Sequence, residues 1–310
     1  MDSDRRTFLK YAFGVLGAAA LSDLSGCFFS KKSFAGAEYN HDGKGGNMKM
    51  PYITLYNGIS MPAMGYGTWN LRGYDGETAV YNAIKCGYRL IDTASLYNNE
   101  KEVGEGVKRA GVDREELFIT TKLWNEPDPI EAVENSLKAM NLDYVDLYLI
   151  HWPKSSKKNT DRWNKLEDIY KSGKSKAIGV SNFSRTDLID IMNVCDIAPM
   201  VNQIEIHPFY ADKDTVDFCR SHNIAIEAYT PLGNLNIAMK NKTFQNIALK
   251  YGKTIPQIFI KWSVQNGFIP IPKSSKPLRM KENIDIFDFS LSEEDMRAVW
   301  AFTAENRKTL

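Results

Sequence analysis

Four ionisable residues stand out by type and by place: Asp92, Tyr97, Lys122 and His151. Asp92 closes the apolar run YRLI, Lys122 follows LFITT, and His151 follows VDLYLI. Tyr97 lies five residues beyond Asp92, near enough to fold back over the same rim. A lysine paired with a carboxylate beside a tyrosine hydroxyl lowers the phenol's pKa electrostatically. A tyrosine tuned in this way can act as a general acid near neutral pH. A histidine can orient a carbonyl oxygen and donate a hydrogen bond as negative charge develops there. The set therefore suits carbonyl reduction, given a source of hydride. It shows no serine–histidine–acid arrangement, and His151 with Asp92 alone makes a poor metal site.

Such residues act together only if the elements bearing them converge. Short apolar runs alternate with helical patterns from Pro51 onward. PYITLYNGISMP reads as two short strands around an Asn-Gly turn, and AMGYG as the strand after them. Further strands are YRLID, LFITT, VDLYLI, KAIGVS, MVNQI, IAIEAY and GFIPI. Helical stretches between them include NEKEVGEGVKRA, DPIEAVENSLKAMN, TDRWNKLEDIYKSG, SRTDLIDIMNV and ADKDTVDFCRSHN. In the third of these, Trp163, Leu166, Ile169 and Tyr170 recur at helical spacing. SLSEEDMRAVWAF reads as a capped helix starting at Ser290 or Ser292. Eight strands with intervening helices fit an α/β fold, a (β/α)8 TIM barrel with a short N-terminal β-hairpin. A doubly wound sheet is the competing arrangement, but GYGTW lacks the G-x-G-x-x-G spacing. In such a barrel the site lies at the C-terminal strand ends. Ser181 and Asn182 after KAIGV, Gln203 ending MVNQ and Tyr229 ending IAIEAY then join the four ionisable groups.

With these segments in hand, the chain over residues 51–305 resembles the aldo-keto reductases. The carrying motifs are GYGTW (65–69), LIDTASLYNNEKEVG (90–104), TTKLW (120–124), LIHWP (149–153), IGVSNFS (178–184), NQIEIHPF (202–209), AYTPLG (228–233) and IPIPKSS…RMKEN. The resemblance implies a catalytic tetrad of Tyr97, Asp92, Lys122 and His151. It also implies NADP as cofactor, NADPH being preferred to NADH. The nicotinamide carboxamide would meet Ser181, Asn182 and Gln203, and the ring would stack on Tyr229. Gly67, Thr68 and Asp92 would border that end, and Leu232 the pyrophosphate path. Lys273, Ser274 and Arg279 would hold the 2′-phosphate, with Glu282 and Asn283 at the adenine; cations and hydroxyls suit a phosphate. Trp69 and Trp152, with Tyr97 and His151, would border a small carbonyl substrate. PKSSKKNTDRW after His151 and the stretch after the last helix are short substrate loops, as in small bacterial members resembling diketogluconate reductases. Thr230 stands where serine is common.

Two other readings compete: a non-catalytic NADP-binding auxiliary subunit of the same fold, against which the intact tetrad argues, and a metal-dependent barrel hydrolase. With 4 histidines the chain is poorly equipped for the latter, and no metal is expected. The net charge of +1 gives no global field to recruit nucleic acid. The 4 cysteines form no Cys-x-x-Cys pair, and Cys86 and Cys219 read as small buried hydrophobes. The catalytic domain is expected to be monomeric.

The N-terminus adds a separate expectation. Arg5 and Arg6 precede an apolar stretch from Tyr11 to Leu24, the layout of a targeting segment. SDRRTFLK resembles the twin-arginine motif read by an export machinery for folded proteins. LSGC resembles a lipoprotein box, which would acylate Cys27 and supply a lipid anchor. Residues 1–27 are thus read as a signal, 28–50 as a linker and 51–310 as the barrel. The expected location is outside the cytoplasm, periplasmic or membrane-anchored. A start at Met48 or Met50 is the competing reading and would give a cytoplasmic protein.

Overall fold

The computed structural model describes residues 50–306. The expectations for Cys27, the paired arginines and most of the 28–50 linker lie outside the described residues.

The first described elements form the hairpin: β1 (Tyr52–Thr54) pairs antiparallel with β2 (Ser60–Pro62). Its turn includes Gly58 at φ 87°, where an L side chain would be strained. Eight parallel strands follow: β3 (Gly65–Gly67), β4 (Leu90–Asp92), β5 (Phe118–Leu123), β6 (Leu147–Ile150), β7 (Ile178–Ser181), β8 (Val201–Glu205), β9 (Ala225–Tyr229) and β10 (Phe268–Pro270). They pair in chain order, β3 next to β4 and onward to β10. Their residues are buried almost throughout, as parallel strands covered by helices must be. This is the α/β barrel read from the alternation of runs.

The seam between β3 and β10 depends on GYG. The Gly67 N–H donates to the Pro272 carbonyl at 3.2 Å. A Cβ on Gly65 would lie 2.9 Å from Ile271 Cγ2, and one on Gly67 2.9 Å from the Ile271 carbonyl oxygen. Any larger residue would hold the two edges apart.

Most helices that carry strand to strand stop and start on local signals. Asp128 accepts from the Ile130 N–H before α3 (Pro129–Met140), which follows α1 (Gly73–Lys85) and α2 (Glu100–Ala110). Ser184 and Asp187 form a capping box at α5 (Arg185–Met192). Trp163, Leu166 and Ile169 of α4 (Ser156–Lys171) are buried, as their spacing requires. That helix begins at Ser156, four residues before the expected TDRW, so the connection after His151 is shorter than the sequence suggested. At the C-terminal end, Ser292 Oγ accepts from the Asp295 N–H, fixing the last helix at Glu293–Asn306 and choosing Ser292 over Ser290.

Several helices escaped the sequence pattern. The helix Gly73–Lys85 carries Gly76 against the Leu71 carbonyl, where a Cβ would sit 2.9 Å away, so poor helix formers stand in its first turn. The helix Ile255–Gln265 is buried on nearly every side and has no polar face to reveal its period. Cys219 is fully buried as expected, whereas Cys86 is only half-buried, because it caps the C-terminal end of the first helix.

Candidate active site

The C-terminal strand ends bring the four ionisable residues together. Lys122 on β5 is completely buried, and its ammonium has three donors to satisfy. Nζ lies 2.7 Å from Asp92 Oδ1, 2.8 Å from the Thr93 carbonyl oxygen and 3.3 Å from Tyr97 Oη. One cation therefore joins the carboxylate of β4 to the phenol beyond it. Asp92 Oδ2 accepts from Gln203 Nε2 at 2.8 Å. The 3-10 turn Ser95–Tyr97 delivers the phenol, with Ser95 Oγ donating to the Lys122 carbonyl and Arg72 Nε to that of Tyr97.

Electrostatics follow from this burial. Burial pushes the Asp92 carboxyl above its usual range, and the Lys122 charge only partly offsets it. Burial opposes the Lys122 charge, but Asp92, Tyr97 and Glu227 outweigh that and hold its pKa above the ordinary value. Burial also raises Tyr97 by more than Lys122 lowers it. The lysine thus exerts the expected pull, but the phenol as a whole lies above its ordinary value rather than below it. Burial, then Lys122 and Arg162, push His151 down to about 3, leaving a neutral imidazole. Its Nδ1 is buried without a partner among the described residues, so Nε2 is the nitrogen left to meet a ligand.

Asp92, Tyr97 and His151 border a cleft of about 440 Å³, also lined by Gly67, Trp69, Trp152, Ser181, Asn182, Gln203, Tyr229, Leu232 and Lys273. Trp69 packs edge-on to Tyr97 at 4.8 Å between ring centroids, and Trp69 and Trp152 are 54% and 46% exposed at the rim. Ser181 Oγ donates to the Gln203 carbonyl, and Asn182 Nδ2 to the His151 carbonyl at 3.0 Å. Tyr229 Oη donates to Asn182 Oδ1 at 2.8 Å. Asn182 (φ 62°) and Thr230 (φ 49°) both take left-handed backbone beside the cleft. For β-branched threonine this is strained, and such strain concentrates at ligand clamps. Thr68 is placed differently: its hydroxyl donates to the Asp92 carbonyl at 2.9 Å and braces β4 from outside the cleft wall.

The remaining predicted contacts gather beyond β10. Lys273 and Arg279 are exposed and make no ion pair among the described residues. Ser274 is nearly buried, its Oγ accepting from the Lys276 N–H at 3.1 Å. Glu282 Oε1 accepts from Thr254 Oγ1 at 2.6 Å, while Asn283 is buried on the same helix, Pro277–Ile284. A larger depression of about 920 Å³ lies outside the barrel between the helices Glu100–Ala110 and Pro129–Met140, away from all of these residues. Among the described residues, no group of three or more His, Cys, Asp or Glu is arranged to hold a metal.

Residues at or beneath the site that the sequence did not single out include Trp124, Leu96 and Glu227. Trp124 lies edge-on to His151 at 5.4 Å, and Leu96 lines the cleft, as does Thr230, which the sequence marked only as standing where serine is common. Glu227 is wholly buried on β9, with Oε2 2.7 Å from Gln203 Nε2. An acid in the middle of IAIEAY, inside a strand that must be buried, was the available signal.

A tyrosine, lysine, carboxylate and histidine at the mouth of a parallel α/β barrel define an oxidoreductase-type site. Comparison with known proteins agrees: the model of the aldo/keto reductase family matches residues 63–303. The 9,11-endoperoxide prostaglandin H2 reductase of Trypanosoma cruzi is 44% identical over 262 residues, covering 82% of this chain and 92% of that protein. The glyoxal reductase of Bacillus subtilis is 45% identical over 260 residues, covering 82% and 94%. The crystal structure of a Bombyx mori aldo-keto reductase in complex with NADP superposes with a TM-score of 0.76 at 36% identity, covering 82% and 93%. The chain belongs to the aldo/keto reductase family and is an oxidoreductase.

Proposed function

We propose that the protein reduces small aldehydes or ketones to alcohols with NADPH, Tyr97 giving the proton. The observation that carries this reading is the position of Lys122 Nζ, 2.7 Å from Asp92 and 3.3 Å from Tyr97 Oη, buried beneath the cleft that those two residues border. The residues around the cleft suit the cofactor: a hydroxyl and two amides at Ser181, Asn182 and Gln203, an aromatic face at Tyr229, and unpaired cations at Lys273 and Arg279. NADPH, when bound, supplies hydride to the carbonyl carbon.

The chain's own residues supply the rest. Burial keeps the Tyr97 phenol protonated at neutral pH, so it has a proton to give. As the proton leaves, the growing phenolate meets the Lys122 ammonium, and Asp92 keeps that ammonium in place. Neutral His151, its ring edge-on to Tyr97 at 5.6 Å, holds the carbonyl oxygen beside the phenol. Ser181, Asn182 and Gln203 orient the carboxamide, and Tyr229, tied to Asn182, presents its ring. Lys273, Ser274 and Arg279 select the 2′-phosphate and so NADPH over NADH; Glu282 and Asn283 flank the adenine. The rim tryptophans suit compact substrates: aldehydes, α-keto carbonyls or keto-sugar derivatives. A 45% identical relative named glyoxal reductase is in keeping with that choice.

The test is NADPH consumption by the purified protein against a panel of such carbonyls, with the alcohol product identified. Turnover is expected with several of them. Tight NADPH binding with no turnover on any would favour a non-catalytic, cofactor-sensing subunit. We further read residues 1–27, from SDRRTFLK and LSGC, as an export signal with Cys27 as a lipid acceptor. Cell fractionation and the mature N-terminus test this: a cytosolic protein retaining Met1, or one starting at Met48, contradicts it.

A further inference from the structure

The polar chain beneath the cleft does not end at Asp92. Glu227 is fully buried in mid-β9 and is in register with Gln203 of β8. Gln203 Nε2 donates to Glu227 Oε2 at 2.7 Å and to Asp92 Oδ2 at 2.8 Å, so one amide bridges two carboxyl groups. Both neighbours are carboxyl oxygens, which fixes the amide with its nitrogen between them. Glu227 Oε1 has no partner among the described residues. On the β10 side, its register partner is Ile269, which carries no charge. The charged groups acting on it are Asp92 of β4 and Lys122 of β5, and its own charge is felt at Tyr97 beyond β4. A single ammonium therefore serves two carboxyls and a phenol.

We propose that Glu227 is a positioning residue for the proton donor: joined by Gln203 to the Asp92–Lys122–Tyr97 chain, it disfavours the Tyr97 phenolate in its charged form and so biases the site toward reduction in alkaline solution. The inference rests on the reading of Tyr97 as that donor. Burial, then the Asp92 charge, push the Glu227 carboxyl up to about 8. It is neutral below that pH and charged above it, before a phenol held above its ordinary value of 10.0 can ionise. In reduction the carbonyl oxygen takes the Tyr97 proton, the carbon takes hydride, and the phenolate is reprotonated from solvent. In alcohol oxidation the phenolate must exist first, so a nearby negative charge penalises that direction. A unit charge at a distance on the order of 10 Å, in an effective dielectric of ~20, changes the phenolate-to-phenol ratio roughly tenfold.

Glu227→Gln tests this, because it keeps the shape and can still accept from Gln203 while removing the charge. The alkaline limb of the reduction profile and the acid limb of alcohol oxidation should both move about one pH unit lower, equivalent to the tenfold ratio. Alcohol oxidation near the old midpoint should rise severalfold, with the NADPH dissociation constant unchanged. Glu227→Thr, uncharged and differently shaped, should give the same displacement; a shift in only one of the two variants marks a packing effect and overturns the proposal. Unmoved limbs in E227Q, with Y97F inactive, also overturn it while leaving Tyr97 as donor. An active Y97F overturns both.

Discussion

Lys122→Met removes one charge from the barrel end and little of the side-chain volume. Asp92, whose side chain is 2% exposed, would then face only the Gln203 amide. At the 2.7 Å separation of the native pair, the gross attraction is ~6 kcal/mol at an effective dielectric of about 20. Both ions gave up hydration on folding, so the net cost of removing one partner is smaller, about 3–5 kcal/mol. Asp92 is already pushed up by burial and can take a proton, which places the loss near the lower end. For a domain of this size, ~2 °C per kcal/mol makes the expected fall in Tm about 6–10 °C. The double variant D92N/K122M leaves no buried charge and should recover about 2 kcal/mol relative to K122M. Thermal and urea unfolding at neutral pH, followed by circular dichroism, measure all four corners of the cycle. A K122M protein as stable as the parent, or a double variant less stable than either single one, refutes the ion-pair reasoning. In turnover, K122M should lose about 10²–10⁴ in kcat while still binding NADPH.

Other outcomes follow from the same geometry. His151, pushed down to about 3, should show no imidazole titration by NMR between pH 5 and 8; an inflection near 6.5 contradicts its neutral burial. Because its folded pKa lies below the unfolded value of 6.5, its contribution to stability is present above about 6.5 and lost as pH falls toward 3. Arg279→Ala should weaken NADPH about 10–100-fold, the worth of a charge-assisted contact, and leave NADH unchanged; parallel losses remove the 2′-phosphate assignment. Gly65→Ala sets a Cβ 2.2 Å from Leu90 Cδ2 of the neighbouring β4 and 2.9 Å from Ile271 Cγ2 across the barrel seam, and should cost about 1–3 kcal/mol in urea unfolding.

The sequence made some of this legible for physical reasons. Each barrel strand is a short apolar run, and a polar residue at or near its C-terminal end lies toward the mouth; Asp92, Lys122 and His151 could be found that way, whereas β8 runs on to Glu205, two residues past the expected end at Gln203. Tyr97 was legible only as a near neighbour, since the 3-10 turn that folds it back carries no periodic signal. Buried helices such as Ile255–Gln265 hid because they have no polar face. The direction of the Tyr97 shift was also hidden: spacing shows that a lysine is near, but the depth of burial that outweighs it is a property of the packed barrel. Glu227 was overlooked because its meaning depends on Asp92, 135 positions away in sequence and one amide away in space.

The central claim is that Tyr97 gives the proton while cofactor binding is carried by other residues. Y97F, compared with the parent for NADPH affinity and for carbonyl-dependent NADPH oxidation, tests it most directly. The account expects NADPH affinity to be kept within about twofold and kcat to fall by about 10²–10⁴. Equal turnover in the two proteins would contradict it.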